Sequence, residues 1–295
     1  MKLAIVIPYY KLAYFEETLQ SLSNQTNADF NIYVGDDASP ESPSTVLSKF
    51  DKLNLKYKRF EQNLGATSLT KQWERCLQMT ENEDWVMILG DDDVLGENVV
   101  KAFYDSIETI NKNSCNVVRF ATQKIDNDSR IISDIYSHPE IEKSASFLTR
   151  LYTEWSRSSL SEYIFNKKLL QQKGIIDFPV AWHSDIALVL ELSDFREVFS
   201  INDAIVQVRV SQNSISGSSS FIKQKAKADA AFADYLIKNL DKFSKEEREV
   251  VVDRIERMAL NNRKQFKFGV KVMLLHLGKL DFSRTFSFIY KSLKK

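Results

Sequence analysis

Residues Asp84–Val99 read DWVMILGDDDVLGENV. An apolar run from Trp85 to Leu89 drives into three adjacent aspartates, Asp91, Asp92 and Asp93. The run is short and bounded by glycine and acids, which reads as a buried strand. Three like charges in a row repel one another, so a fold keeps them only in water or against something positive. One reading is a solvated turn, with an aspartate capping the helix that starts at Glu97. The other is a divalent cation site. Mg2+ and Mn2+ take oxygen ligands, usually one or two carboxylates together with phosphate oxygens.

The same pattern of strand followed by polar residues recurs around this stretch. KLAIVIP (Lys2–Pro8) reads as a strand, FNIYVGDD (Phe30–Asp37) as a second strand running into acids, LKYKRFEQ (Leu55–Gln62) as a third, and CNVVRFATQK (Cys115–Lys124) as a strand after Trp85–Leu89. Helical patterns separate them. These are Tyr14–Gln25 with Phe15, Leu19 and Leu22 on one face, Ser42–Asp51 with a serine cap and a proline, Thr67–Met79, and Glu97–Asn113 with Val100, Phe103, Ile107 and Ile110 on one face. Strand and helix thus alternate along the first ~125 residues, which predicts a parallel α/β sheet with right-handed crossovers. Ligands of such sheets bind beyond the carboxyl ends of the strands. That edge gathers Tyr9, Tyr10, Asp36, Asp37, Asn63, Gly65 and the three aspartates.

Beyond Lys124 the pattern changes. Ile125–Glu140 reads as irregular or hairpin, Ser144–Glu154 as a helix, and Ser159–Gly174 as a strand leading to a short helix. A loop then leads to a helix from about Ser184, and Ala204–Ser211 is a strand. The polar loop Gln212–Ser220 marks a boundary, after which the pattern is helical.

The bulk numbers exclude several classes. Formal net charge is zero, so there is no electrostatic case for a nucleic-acid partner. Cys76 and Cys115 have neither metal nor redox spacing and read as reduced thiols of a cytoplasmic protein. No apolar stretch approaches the ~18 residues of a membrane span. The zero charge hides an asymmetry. Residues 263–295 carry nine Lys and Arg against the single acid Asp281, so this tail is +8 and residues 1–262 are −8. Phe266, Val270, Met273, Leu274 and Leu277 line one helical face of the tail, and Phe282, Phe286, Ile289 and Leu293 continue in the next helix. Such a pair either packs on the domain or lies on anionic lipid.

Four segments, AIVIPYY (Ala4–Tyr10), NIYVGDDASPES (Asn31–Ser42), FEQNLGA (Phe60–Ala66) and VMILGDDDVL (Val86–Leu95), occur in an order and spacing that resembles the family 2 glycosyltransferases of the GT-A fold. The resemblance implies a mostly parallel, Rossmann-like α/β sheet flanked by helices, with a helical C-terminal region. Residues 1–215 would be the catalytic domain, 1–123 its nucleotide-sugar half and 124–215 its acceptor half, with 216–295 a basic helical extension. By the same resemblance Pro8, Tyr9 and Tyr10 line a nucleobase pocket, and Asp36 or Asp37 holds the uracil or ribose. Lys71 approaches the phosphates, and Asp91 lies near the ribose or sugar. Asp92, with Asp93 beside it, coordinates Mn2+ or Mg2+. Gly90 stands where many members carry the first acid of the metal motif, a departure that rests ligation on Asp92.

On the acceptor side, the resemblance makes Asp185 the catalytic base, where spacing alone reads Ser184 or Asp185 as an ordinary helix cap. Trp182 and His183 would meet the acceptor sugar, or simply pack. Arg209 would approach the diphosphate, or be a surface arginine on an edge strand. The implied reaction is a metal-dependent, inverting hexose transfer from a nucleotide-sugar donor, expected to be UDP-linked, to a glycan or lipid-linked acceptor in bacterial surface-polysaccharide assembly. The implied location is cytoplasmic, peripheral at the inner face of the cell membrane through residues 263–295. A nucleotidyltransferase would need a glycine-rich phosphate loop after the first strand, and PYYKLAYFEE has no glycine. A non-catalytic nucleotide- or sugar-binding module would have no use for a base at Asp185. A glycoside hydrolase needs paired carboxylates across a sugar rather than acids on a sheet edge.

Overall fold

The computed structural model describes residues 1–154, 156–210, 219–278 and 281–293. Its strands are β1 (Leu3–Tyr9), β2 (Phe30–Asp36), β3 (Leu55–Arg59), β4 (Trp85–Ile88), β5 (Val94–Leu95), β6 (Val117–Ile125), β7 (Ile141–Lys143), β8 (Tyr163–Asn166) and β9 (Glu197–Arg209). They form one sheet in the order β3-β2-β1-β4-β8-β6-β9-β5, with β7 also paired to β9. The helices are α1 (Phe15–Ser23), α2 (Ser44–Leu47), α3 (Leu69–Leu77), α4 (Val99–Asp105), α5 (Ile107–Lys112), α6 (Ser144–Thr153), α7 (Lys167–Lys173), α8 (Ser184–Ser193), α9 (Ile222–Lys238), α10 (Lys245–Asn261), α11 (Phe266–Gly278) and α12 (Phe282–Leu293).

β1, β2, β3 and β4 pair in parallel, as the alternating pattern predicts. Both faces of β1, β2 and β4 are covered, which is why these strands read as nearly unbroken apolar runs, whereas the edge strand β3 alternates and is exposed. In β1, Leu3, Ile5 and Ile7 pack on one side with Phe15 and Leu19 of α1, and Ala4 and Val6 pack on the other with Cys76 and Leu77 of α3. Gly35 lets α3 approach β2, because a Cβ there would lie 2.3 Å from Cys76 Sγ.

The second half departs from the simple pattern. The Cys115–Lys124 strand, β6, does not join β4. Antiparallel β8 inserts between them. Two antiparallel steps restore the original direction, so β6 and its parallel neighbour β9 run the same way as β1. The carboxyl ends of β1, β2, β4 and β9 therefore share one edge, and the amino end of β8 meets them there. The expected helix Glu97–Asn113 is two helices broken at Ser106, and β9 is longer than the expected Ala204–Ser211 strand. The polar stretch at the proposed boundary lies outside the described residues between 211 and 218.

The helices after the boundary do not form a core of their own. Phe232, Leu236, Val251, Ile255, Phe268 and Val272 share a buried cluster with Ala145 and Leu148 of α6, Phe178, and Ala187 and Leu190 of α8.

Candidate active site

At the common carboxyl edge the three aspartates part company. Asp91 Oδ2 accepts the backbone N–H groups of Tyr10 at 2.7 Å and Lys11 at 2.8 Å, tying the end of β1 to the end of β4. Asp93 is buried. Its Oδ1 accepts the backbone N–H of Arg209 at 2.8 Å, and its Oδ2 accepts the hydroxyl of Ser161. Asp92 stands between them, and among the described residues no donor reaches its carboxylate. Burial pushes all three carboxyls above the usual range, and for Asp92 the charges of Asp93 and Asp91 add to it. Gly90 is explained by space. A Cβ there would lie 3.0 Å from Asp93 Oδ2 and 3.1 Å from Asp92 Oδ1, so a side chain at this position would press on both carboxylates, which would have to give by a few tenths of an ångström.

The two acids after β2 also take different roles. Asp36 is fully buried and saturated: it accepts from Ser39 N at 2.7 Å, Tyr57 Oη at 2.6 Å and Arg59 Nη1 at 2.8 Å. Asp37 accepts the backbone N–H of Leu64 at 2.7 Å and of Gly65 at 2.9 Å, and pairs with Arg75. This gives the Asn-Leu-Gly segment a physical reason. A Cβ on Gly65 would sit 2.5 Å from Asp37 Oδ2, so only glycine lets the loop close on that carboxylate.

The acceptor side is a tight turn before α8. Val180, Ala181 and His183 all have positive φ, at 52°, 54° and 72°. A β-branched valine in that region is a real outlier, and such strain concentrates at functional sites. The turn is braced by Asp177, which accepts from Ser68 Oγ at 2.9 Å and Thr70 Oγ1 at 2.6 Å. Asp185 follows in the first turn of α8. Burial raises its carboxyl, while the helix-start N–H of Ile186 and the nearby His183 and Arg157 pull it down. His183 Nε2 lies 2.9 Å from Asp229 Oδ1, and its ring stacks on Phe232 at 4.5 Å. Lys225 Nζ lies over the Trp182 ring at 4.7 Å.

These parts face one cavity of about 580 Å³. Of the residues singled out in the sequence, Pro8, Tyr10, Asp37, Asp91, Asp92, Asp93, Trp182, His183, Asp185 and Arg209 line it. Three are not brought to its wall. Tyr9 points into the core, where it packs on Phe15 and donates its hydroxyl to the Glu41 carbonyl. Asp36 lies behind Asp37, and Lys71 is exposed on the outer side of α3. Arg209 is not an open cation. Its guanidinium donates to Asp92 O, Asp126 O, Ser129 Oγ and Glu17 Oε2, and lies 4.1 Å over the Tyr14 ring. It is a latch behind the aspartates. The other two cations that line the cavity, Lys11 and Arg157, escaped the sequence reading. Arg157 Nη1 donates to Glu162 Oε2 at 3.2 Å. Nothing local marks it, because it reaches the edge only through the antiparallel insertion of β8. Ser161, which also donates from beside β8, was missed for the same reason.

Among the described residues no group of three or more His, Cys, Asp or Glu side chains is arranged to hold a metal ion. Both oxygens of Asp93 and one of Asp91 are held by the framework, so Asp92 is the one of the three whose whole carboxylate stays open. A single hard-oxygen donor fits a cation that brings its remaining ligands from phosphate and water.

The sequence pattern described as Glycosyl transferase family 2 matches residues 4–172. No curated protein sequence matches the chain. Among solved structures, residues 1–349 of S. aureus TarS in complex with UDP-GlcNAc superpose with a TM-score of 0.61 at 16% identity, covering 97% of this chain and 89% of that one. The mannosyltransferase PcManGT from Pyrobaculum calidifontis, in complex with GDP-Man and Mn2+, superposes with a TM-score of 0.58 at 12% identity, covering 94% and 75%. At these identities the likeness establishes a shared GT-A architecture.

Proposed function

The chain belongs to glycosyl transferase family 2, and on that premise we propose that it is an inverting transferase. It moves one sugar from a nucleotide donor, UDP-linked, to a hydroxyl of a glycan or lipid-linked acceptor. One observation carries this reading: the open carboxylate of Asp92 and the helix-start carboxylate of Asp185 face the same cavity. The UDP-GlcNAc of one structural neighbour and the GDP-Man with Mn2+ of another support a nucleotide-sugar donor and a divalent cation.

The geometry supports the following roles. Pro8, Tyr10, Asp37 and the Asn63–Gly65 loop form the nucleoside wall. Asp92 is the carboxylate that would hold Mn2+ or Mg2+, while Asp93 keeps β9 and Ser161 in register behind it. A cation held there would supply Lewis-acid stabilisation of the leaving diphosphate. Lys11 and Arg157 place fixed positive charge on the same wall, where charge develops as the donor bond breaks. A sugar hydroxyl is a weak nucleophile at neutral pH, so Asp185 takes its proton as it attacks. Attack from the Asp185 side and departure on the Asp92 side give direct displacement with inversion.

The test is calorimetric titration with UDP, GDP and dTDP, each with and without Mn2+, on the wild type and on Asp92→Ala. Metal-dependent binding of one nucleotide, lost in the variant, is the expected result and names the base. Absence of nucleotide binding under every condition would overturn this reading and leave the aspartates as framework of the strand ends. Asp185→Asn is expected to keep nucleotide affinity and lose transfer. A variant that still transferred sugar at the wild-type rate would remove Asp185 as the base.

A further inference from the structure

We infer that the free face of α11 and α12 docks onto an anionic lipid surface. This inference does not depend on the transfer reaction. α11 buries Phe268, Val272 and His276, yet on its opposite side it leaves Phe266 81% and Leu274 61% exposed. α12 buries Thr285 and Phe288 and leaves a stripe at four-residue spacing in water: Phe282, Phe286 at 70% and Tyr290 at 66%, followed by Leu293 at 80%. The two helices pack against each other, so both stripes belong to one end of the molecule. With about 150–250 Å² for each aromatic side chain, this end bares more apolar surface than a monomer usually leaves in water. Among the described residues no helix is long and apolar enough to cross a membrane. The fitting mode is therefore a pair of helices lying in the interface, aromatic side down.

Charge chooses the occupant. Residues 216–295 hold 18 Lys and Arg against 9 Asp and Glu, so this region is +9 and the rest of the chain −9. Lys264 and Lys267 flank Phe266, are exposed, and pair with no carboxylate among the described residues. A second copy meeting this face across a two-fold axis would bring two regions of the same sign together. A surface of anionic headgroups meets it with opposite charge. The face is also tied to the cavity. Asn262, just ahead of α11, donates to Asp229 Oδ2 at 2.9 Å, and the other oxygen of Asp229 holds His183 on the cavity wall.

The experiment is co-sedimentation of the full chain with vesicles of equimolar phosphatidylglycerol and phosphatidylcholine, and with phosphatidylcholine alone. Anionic vesicles are expected to bind at least about tenfold more protein, and about 0.5 M NaCl to weaken that binding several-fold. Two variants report on the two components: Phe282→Ser with Phe286→Ser and Tyr290→Ser, and Lys264→Glu with Lys267→Glu. Loss of binding in the first and a several-fold reduction in the second, with circular dichroism unchanged, support the inference. The charge-reversal pair carries the test alone if the triple variant fails to fold. No association of the wild type, equal binding to neutral vesicles, or wild-type binding by both variants would overturn it. So would a dimer in sedimentation velocity that the serine variant dissolves.

Discussion

At the residue scale, the site is set by what each acid is allowed to touch. Six carboxylates lie at the working edge, but Asp36, Asp37 and Asp93 spend both oxygens, and Asp91 one of its two, on backbone N–H groups and side-chain donors. Such donors hold loops and strand ends together, and four of the six acids are framework for this reason. Asp92 and Asp185 are the two that the proposed mechanism assigns to chemistry. For Asp185 this has a kinetic consequence. Only its ionised form accepts a proton, and burial lifts its pKa above that of a free aspartate. The rising limb of kcat/KM against pH is therefore expected above the ordinary carboxylate range. Arg157 pulls that pKa down, so Arg157→Met should move the limb to higher pH, whatever it does to the plateau. A limb that stays in place would mean that Arg157 does not face the base. Asp185→Asn should cost about 10²–10⁴-fold in kcat, the ordinary contribution of a general base.

At the element scale, close approach decides which glycines matter. Gly65→Ala forces a Cβ to within 2.5 Å of Asp37 Oδ2, so the carboxylate must leave the two loop N–H groups it holds. We expect a loss of about 1–3 kcal/mol in urea unfolding, together with weaker nucleotide binding, since this loop lines the cavity. Gly269→Ala is the control. Nothing lies within 4 Å of a Cβ there, so alanine in the middle of α11 should stabilise by about 0.5–1 kcal/mol. Equal effects at the two sites would show that loop closure on Asp37 is not what requires Gly65. The parallel half of the sheet was legible in the sequence because β1, β2 and β4 are buried on both faces and announce themselves as apolar runs ending in polar residues, while the exposed edge strand β3 shows by its alternation. β8 was not legible as the neighbour of β4. Its place depends on pairing with Trp85–Met87 and Val117–Arg119, far away in the chain, and no local pattern carries that information. Arg157 and Ser161 were missed with it. Arg209 was found at its strand end, but its partners Glu17, Asp126 and Ser129 come from segments that spacing does not connect.

At the scale of the whole molecule, the question is whether the basic helices are an appendage or part of the catalytic body. Their sequence suggests a separate unit, with a polar stretch before it and a reversal of charge. Their packing argues otherwise. Phe232 of α9 meets the Phe178 ring edge-on at 5.8 Å and carries the His183 ring on its face. Phe243 meets Phe195 at 5.4 Å, and Ser146 of α6 donates to Glu247 of α10 at 2.7 Å. Ending the chain at residue 215 would bare Leu148, Phe178, Leu190 and Phe195 together. At about 1.5–3 kcal/mol for each large side chain, that is on the order of 10 kcal/mol, similar to the ~5–15 kcal/mol that holds a whole domain folded. The turn carrying Val180, Ala181 and His183 would lose the stacking that keeps it in the left-handed region, and Asp185 would lose its fixed position. The fragment 1–215 is therefore expected to aggregate or to melt without a cooperative transition, and to bind no nucleotide. A soluble fragment with a sharp thermal transition and full-length nucleotide affinity would establish the opposite: a self-sufficient catalytic domain on which the helices serve only as a surface anchor.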